Sequence, residues 1–166
     1  MTYLESSALL SWLLQEPRGE EVRRWIDDSE MIAASELTLL EVSRTLARLR
    51  SGGSPPRTVD ALHAQLERLK QAWWVVVMTP SIVQRAGEPF SVEPVRSLDA
   101  IHLATAQAIA QSSADERVVI LSLDRRVRIN GIAAGFDVAP TPTDEEREAA
   151  GGDHNAGTLA RRRTRR

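Results

Sequence analysis

Four acidic side chains stand where an α/β chain can put carboxylates to work. Glu5 closes a short β-rich run, and Asp124 directly follows Val118–Leu123, the clearest strand pattern in the chain. Glu41 lies inside a long helical pattern, and Asp99 opens another just after Ser97. In an open α/β sheet, ligands bind beyond the carboxyl ends of the strands, which is where Glu5 and Asp124 fall. Carboxylates gathered there can hold a hard divalent cation such as Mg²⁺ or Mn²⁺, directly or through its waters. An ion so held can lower the pKa of a bound water and stabilise charge that develops on a leaving oxygen. Without a cation the same acids repel one another and raise some of their own pKa values. A single acid at a strand end is usually a turn or N-cap residue; the order of all four on these elements is what points to chemistry.

The residues around the acids have both plain and chemical uses. Ser6 and Ser7 can cap the first helix, the commoner use of serine there, or orient a metal-bound water. His102 lies three residues after Asp99 on the same helical side and reads as a packing or local hydrogen-bonding residue rather than a general base. Arg44 and Arg48 follow Glu41 by three and seven residues and share its helical face. They can neutralise the phosphates of a polyanionic ligand or form a solvated face. Arg125 and Arg126 offer the same choice beside Asp124. Trp12, Trp25, Trp73 and Trp74 read as core or interface rather than as base-stacking platforms.

The elements that must position these groups follow from periodicity. Thr2–Glu5 reads as a first strand, followed by a helix to about Leu14. Val22, Trp25 and Ile26 mark one face of a helix over Glu20–Asp28. Met31–Ala34 is a short strand. Leu39, Val42, Leu46 and Leu49 form the apolar stripe of a helix from Glu36 to Arg50, which Ser51–Pro56 breaks. Val59, Leu62, Leu66 and Leu69 repeat that stripe in the next helix. Trp74–Met78 reads as a buried strand, Pro80–Ala86 as a short helix, Gly87–Ser97 as a loop and Leu98–Gln111 as a strong helix. A short helix follows Val118–Leu123, and Phe136–Ala139 is a last strand. Such alternation predicts a short parallel sheet with helices on both faces, a three-layer α/β/α domain.

Composition bounds the rest. The chain has 166 residues, 42% of them hydrophobic, enough for one core. It has no cysteine, which excludes disulfides, thiolate nucleophiles and cysteine-bound zinc. No apolar run approaches the roughly 18–20 residues of a membrane span, and no leader pattern opens the sequence, so a cytoplasmic protein is expected. The net charge of −2 hides a basic end: Arg161–Arg166 holds five arginines in six residues. Residues 1–140 are expected to form the domain, and 141–166 a disordered basic tail.

Four segments carry a resemblance to a known family. They are Tyr3-Leu-Glu-Ser-Ser-Ala-Leu9, Ser35-Glu-Leu-Thr-Leu-Leu-Glu-Val42, Arg96-Ser-Leu-Asp-Ala-Ile-His-Leu-Ala-Thr-Ala106 and Leu121-Ser-Leu-Asp-Arg-Arg126. Together they resemble PIN-domain ribonucleases of the VapC toxin type, over roughly residues 1–140. The third segment is the most specific. The resemblance implies a PIN-like fold, a Mg²⁺- or Mn²⁺-dependent endoribonuclease, and Glu5, Glu41, Asp99 and Asp124 as its catalytic and metal-holding acids. It also implies an RNA substrate, a homodimer and inhibition by a small antitoxin protein. Glu5 departs from the family, where Asp is usual. The longer acid predicts weak, Mn²⁺-preferring activity, with Glu5→Asp raising the Mg²⁺-supported rate. It also keeps a second reading open, a PIN-like module that binds RNA or protein with little catalysis. A receiver-like or phosphatase-like domain fits less well, because the first strand ends Glu5-Ser-Ser rather than in paired acids.

Overall fold

The computed structural model describes residues 1–113 and 117–151. Five parallel strands form one sheet in the order β3-β2-β1-β4-β5. They are β1 (Thr2–Leu4), β2 (Ile32–Ser35), β3 (Trp74–Val76), β4 (Val119–Leu121) and β5 (Asp137–Ala139). Tyr3 pairs in register with Ala33 of β2 and with Ile120 of β4. The chain therefore winds outward from β1 in one direction through β2 and β3, then returns to the other side of β1 for β4 and β5. The switch point lies between β1 and β4, and both strands end there in an acid-bearing loop.

Strand alternation sends neighbouring side chains to opposite faces, which gives two cores. Leu4, Ile32, Leu121 and Ala139 join α1 (Ser6–Leu13), α2 (Gly19–Asp27), α3 (Glu36–Ser51) and α4 (Pro56–Ala72) on one side. Tyr3, Ala33, Ile120 and Val138 face α6 (Ser97–Ser112) and α7 (Arg125–Ala133) on the other. This is the expected three-layer α/β/α architecture. The predicted stripes are the buried ones: Val42 and Leu46 of α3, and Val59 and Leu66 of α4, are all 1% exposed or less. Gly19 fits α2 against α1, since a Cβ there would stand 2.4 Å from the carbonyl oxygen of Ser11.

Three expectations change. Trp74–Met78 is not buried: β3 is an edge strand, and Trp74, Val77 and Met78 are all exposed. A β-branched run suits an edge as well as a centre, so residue type alone did not place it. Ser6 and Ser7 do not cap α1; Glu5 is the N-cap and accepts the Ser7 backbone N–H. The chain past residue 140 continues into α8 (Asp144–Ala149), capped reciprocally by Thr143 and Glu146. The rest of the expected tail, 152–166, lies outside the described residues. Among the described residues no helix is long and apolar enough to cross a membrane.

Candidate active site

Glu5 leaves β1 at the switch point and turns its carboxylate inward, 3% exposed. Oε1 accepts the Ser6 hydroxyl at 2.7 Å. Oε2 accepts the Ser7 backbone N–H at 3.0 Å, the Ser122 hydroxyl at 2.8 Å and the Ser7 hydroxyl. Four donors thus seat the carboxylate. The Ser7 oxygen also accepts the backbone N–H groups of Leu123 and Asp124, at 2.9 and 3.0 Å. Its one donor and two lone pairs are then used. Ser7 therefore ties β1 to the end of β4 and keeps no capacity to orient a water.

Asp124 caps α7, and its Oδ1 accepts the N–H groups of Arg126 and Val127 at 2.8 and 3.2 Å. Asp99 stands in the first turn of α6, where a carboxylate meets the positive end of the helix dipole. Its Oδ2 is buried and has no hydrogen-bond partner among the described residues. Burial pushes the Asp99 carboxyl above its ordinary value, and the charges of Asp124 and Glu5 push it the same way, opposed in part by Arg126.

Glu41 reaches the cleft from α3 through a residue that sequence reasoning treated as packing. His102, 1% exposed, sits with Nε2 2.8 Å from Glu41 Oε2 and 3.6 Å from Glu5 Oε1. One atom each of Glu5, Glu41 and His102 lie within 4.8 Å of one another. Burial alone would lower the imidazole, but the Tyr3 oxygen, the Glu41 bond and the Glu5 charge outweigh it and hold the pKa up at about 10. Burial would raise Glu41; the hydrogen bond and charge of His102, with the Arg48 charge, hold it below its ordinary value instead. Glu41 thus joins Glu5 through His102, and the charges of Glu5 and Asp124 both act on Asp99.

The arginines divide. Arg48 is exposed, donates to Thr45 Oγ1 at 2.8 Å and acts on Glu41. Arg44 is exposed on the same face. Arg126 acts on Asp99, whereas Arg125 turns away to pair with Glu145 of α8. Trp12, Trp25 and Trp73 pack against the first core, away from the cleft. Ser122 was missed as a site residue; its only sequence signal is its place two residues before Asp124. Arg128 was also missed. It is 2% exposed, pairs with Glu146 at 2.6 Å and donates to the Ser122 carbonyl at 2.8 Å, so it supports the β4 end from behind.

The carboxylates gather at the switch point of a parallel sheet, where open α/β folds bind their ligands. The PIN domain profile matches residues 2–133. Ribonuclease VapC47 of Mycobacterium tuberculosis is 31% identical over 143 residues, 84% of this chain and 96% of that protein. Ribonuclease VapC35 of the same species is 29% identical over 130 residues, 77% of this chain and 87% of its own length. Among solved structures, FitAcB from Neisseria gonorrhoeae matches with a TM-score of 0.64 at 18% identity, covering 83% of this chain and 96% of its own. The chain belongs to the PIN-domain family, among relatives of the VapC ribonuclease type.

Proposed function

We propose that this chain is a metal-dependent endoribonuclease, the toxin of a toxin–antitoxin pair, that hydrolyses RNA phosphodiester bonds at the Glu5–Glu41–Asp99–Asp124 cleft. The observation that carries the reading is Asp99 Oδ2, buried without a partner and facing the charges of Asp124 and Glu5. A cation is the group that satisfies such an oxygen, and an all-carboxylate donor set suits Mg²⁺ or Mn²⁺. Asp99 and Asp124 would hold the ion, with Glu5 and Glu41 completing the acidic shell directly or through water. Bound there, the ion supplies Lewis-acid activation of the phosphodiester and neutralises developing charge.

The protein's own groups do the rest. The Ser6, Ser7 and Ser122 donors keep Glu5 fixed, so its charge faces Asp99 without rearrangement. Arg44 and Arg48 line the approach from α3 and offer positive charge to the RNA backbone. Cytoplasmic location, a homodimer and a small antitoxin partner belong to the same reading and rest on family membership. The test is cleavage of a single-stranded RNA by the purified chain in Mg²⁺ and in Mn²⁺. Cleavage should stop on chelation and in Asp99→Asn, which keeps shape but removes the negative ligand. Cleavage that survives both changes refutes the reading. The four-donor seat of Glu5 favours one alternative, a PIN-like binding module; it predicts RNA retention without turnover in either metal.

A further inference from the structure

The segment between α5 (Pro80–Ala86) and α6 is held as a strap. Glu93 braces it from within: Oε1 accepts the Phe90 backbone N–H at 3.0 Å, and Oε2 accepts that of Val95 at 2.6 Å. Phe90 and Val95 pack against the second core, and the Arg85 guanidinium stands 4.3 Å from the centre of the Phe90 ring. One side chain of α7 grips the middle of the strap. Asn130 is buried. Its Oδ1 accepts the Val92 N–H at 3.0 Å, and its Nδ2 donates to the Val92 carbonyl at 3.0 Å. Nδ2 also donates to the Arg126 carbonyl at 3.2 Å. One N–H and two carbonyls admit only this orientation of the amide. Among the described residues, no other hydrogen bond joins the strap or α6 to α7.

Both arms of this bridge lead to an acid of the cleft. From Val92 the strap runs through Val95 to Arg96, the N-cap of α6, whose backbone N–H is accepted by Asp99. On the other arm, Arg126 is the residue whose own N–H seats Asp124 Oδ1 at 2.8 Å. We infer that Asn130 is a positioning residue that sets the spacing of Asp99 and Asp124, and with it the affinity of the cleft for a divalent ion. This rests on the metal reading above and deepens it. Breaking the bridge strands the buried Val92 and Arg126 carbonyls and frees the strap to shift against α7. Mg²⁺ demands near-ideal octahedral geometry, so its binding should suffer more than that of Mn²⁺.

Metal affinity, read without turnover, tests this on the full chain. Mn²⁺ is titrated by electron paramagnetic resonance, and Mg²⁺ by competition with it. Asn130→Asp keeps the shape and the acceptor for Val92 but loses both donors. Its added negative charge would by itself draw a cation, so a fall in affinity reports geometry. Asn130→Leu removes all three bonds without adding charge. Each should bind Mn²⁺ roughly tenfold more weakly or worse, the range seen when groups that orient metal ligands are lost, with a larger loss for Mg²⁺. Gly19→Ala, which strains the distant α1–α2 contact, should leave both affinities at wild type. Coupling is reciprocal, so saturating Mg²⁺ should slow hydrogen exchange of the Val92 amide in the wild type. That measurement decides alone if neither variant at 130 folds. Wild-type affinity in a folded Asn130 variant, an equal loss in Gly19→Ala, or Val92 exchange indifferent to Mg²⁺ overturns the inference and leaves the metal reading standing. No ion bound by the wild type overturns both.

Discussion

Acidification should act on the buried pair that joins α8 to the site. Glu146 caps α8 from within and pairs with Arg128, with side chains 11% and 2% exposed. The Arg128 guanidinium, helped by the Thr143 backbone, lowers the Glu146 carboxyl from 4.5 to about 2. One pKa unit is about 1.4 kcal/mol, so this pair ties roughly 3–4 kcal/mol of stability at most to the charged state. The folded pKa lies below the unfolded one. The contribution is therefore fully present above pH 4.5 and is lost as pH falls toward 2. Glu146→Gln removes the charge at every pH and leaves Arg128 buried without a counter-ion, a change that typically destabilises by ~3–5 kcal/mol. Urea unfolding followed by circular dichroism at pH 7, 4 and 2.5 gives both curves. The wild type should fall toward the variant as pH drops through this window. Parallel curves, with the same gap at pH 7 and 2.5, would mean that the pair does not carry the acid sensitivity. Replacing both residues with apolar ones of similar volume should be far milder than Glu146→Gln, because no buried charge is stranded.

Three further outcomes follow from the geometry. Gly19→Ala puts a methyl group 2.4 Å from the Ser11 carbonyl oxygen and should destabilise by ~1–3 kcal/mol, the usual range for overpacking; a thermal midpoint equal to wild type refutes the close α1–α2 approach. Glu5→Asp withdraws the carboxylate by roughly one bond length, about 1.5 Å, from the Ser7 and Ser122 hydroxyls that seat it. It should lower both stability and Mg²⁺-supported cleavage, the reverse of the gain expected from sequence alone; faster single-turnover cleavage by the Asp variant would show that the seat does not matter. Deleting residues 152–166 spares α8 and removes the five-arginine run. RNA binding should weaken at low salt while turnover at saturating RNA holds; a fall in saturated turnover would place the run in the site.

The sequence made the frame of the site legible because strand ends and helical stripes depend on local pattern. Glu5 and Asp124 follow recognisable strands, and the α3 stripe of Val42 and Leu46 fixes the helix face that Glu41 flanks. What escaped depends on distant partners. His102 looked like a packing residue because its meaning comes from Tyr3, 99 residues away, and from Glu41 on another helix. Ser122 is an ordinary strand serine until Glu5 is placed beside it. Arg128 drew no attention because its counter-charge, Glu146, sits in a segment rich in acids that read as tail. One local cue was available there: Thr143 and Glu146 stand at the spacing of a capping box, and that signature outweighs the polar composition around it. The β3 run shows the opposite limit. Its residue types suit any strand, and only the sheet order makes it an edge.

The bond between Ser7 and the end of β4 has a consequence for when the protein becomes dangerous. Ser7 and Ser122 are separated by 115 residues, yet each donates a proton to the same carboxylate. The last support of that strand end, Glu146, is later still. During synthesis at roughly 5–20 residues per second, Glu5 leaves the ribosome well before the serine, the aspartates and the arginine clamp that organise it. A half-made chain carries the acids of β1 and α3 but not their scaffold. The nuclease is therefore assembled only once β4 and α8 have both been made, and a message or nascent chain broken before α8 leaves a product without the Arg128–Glu146 pair behind β4.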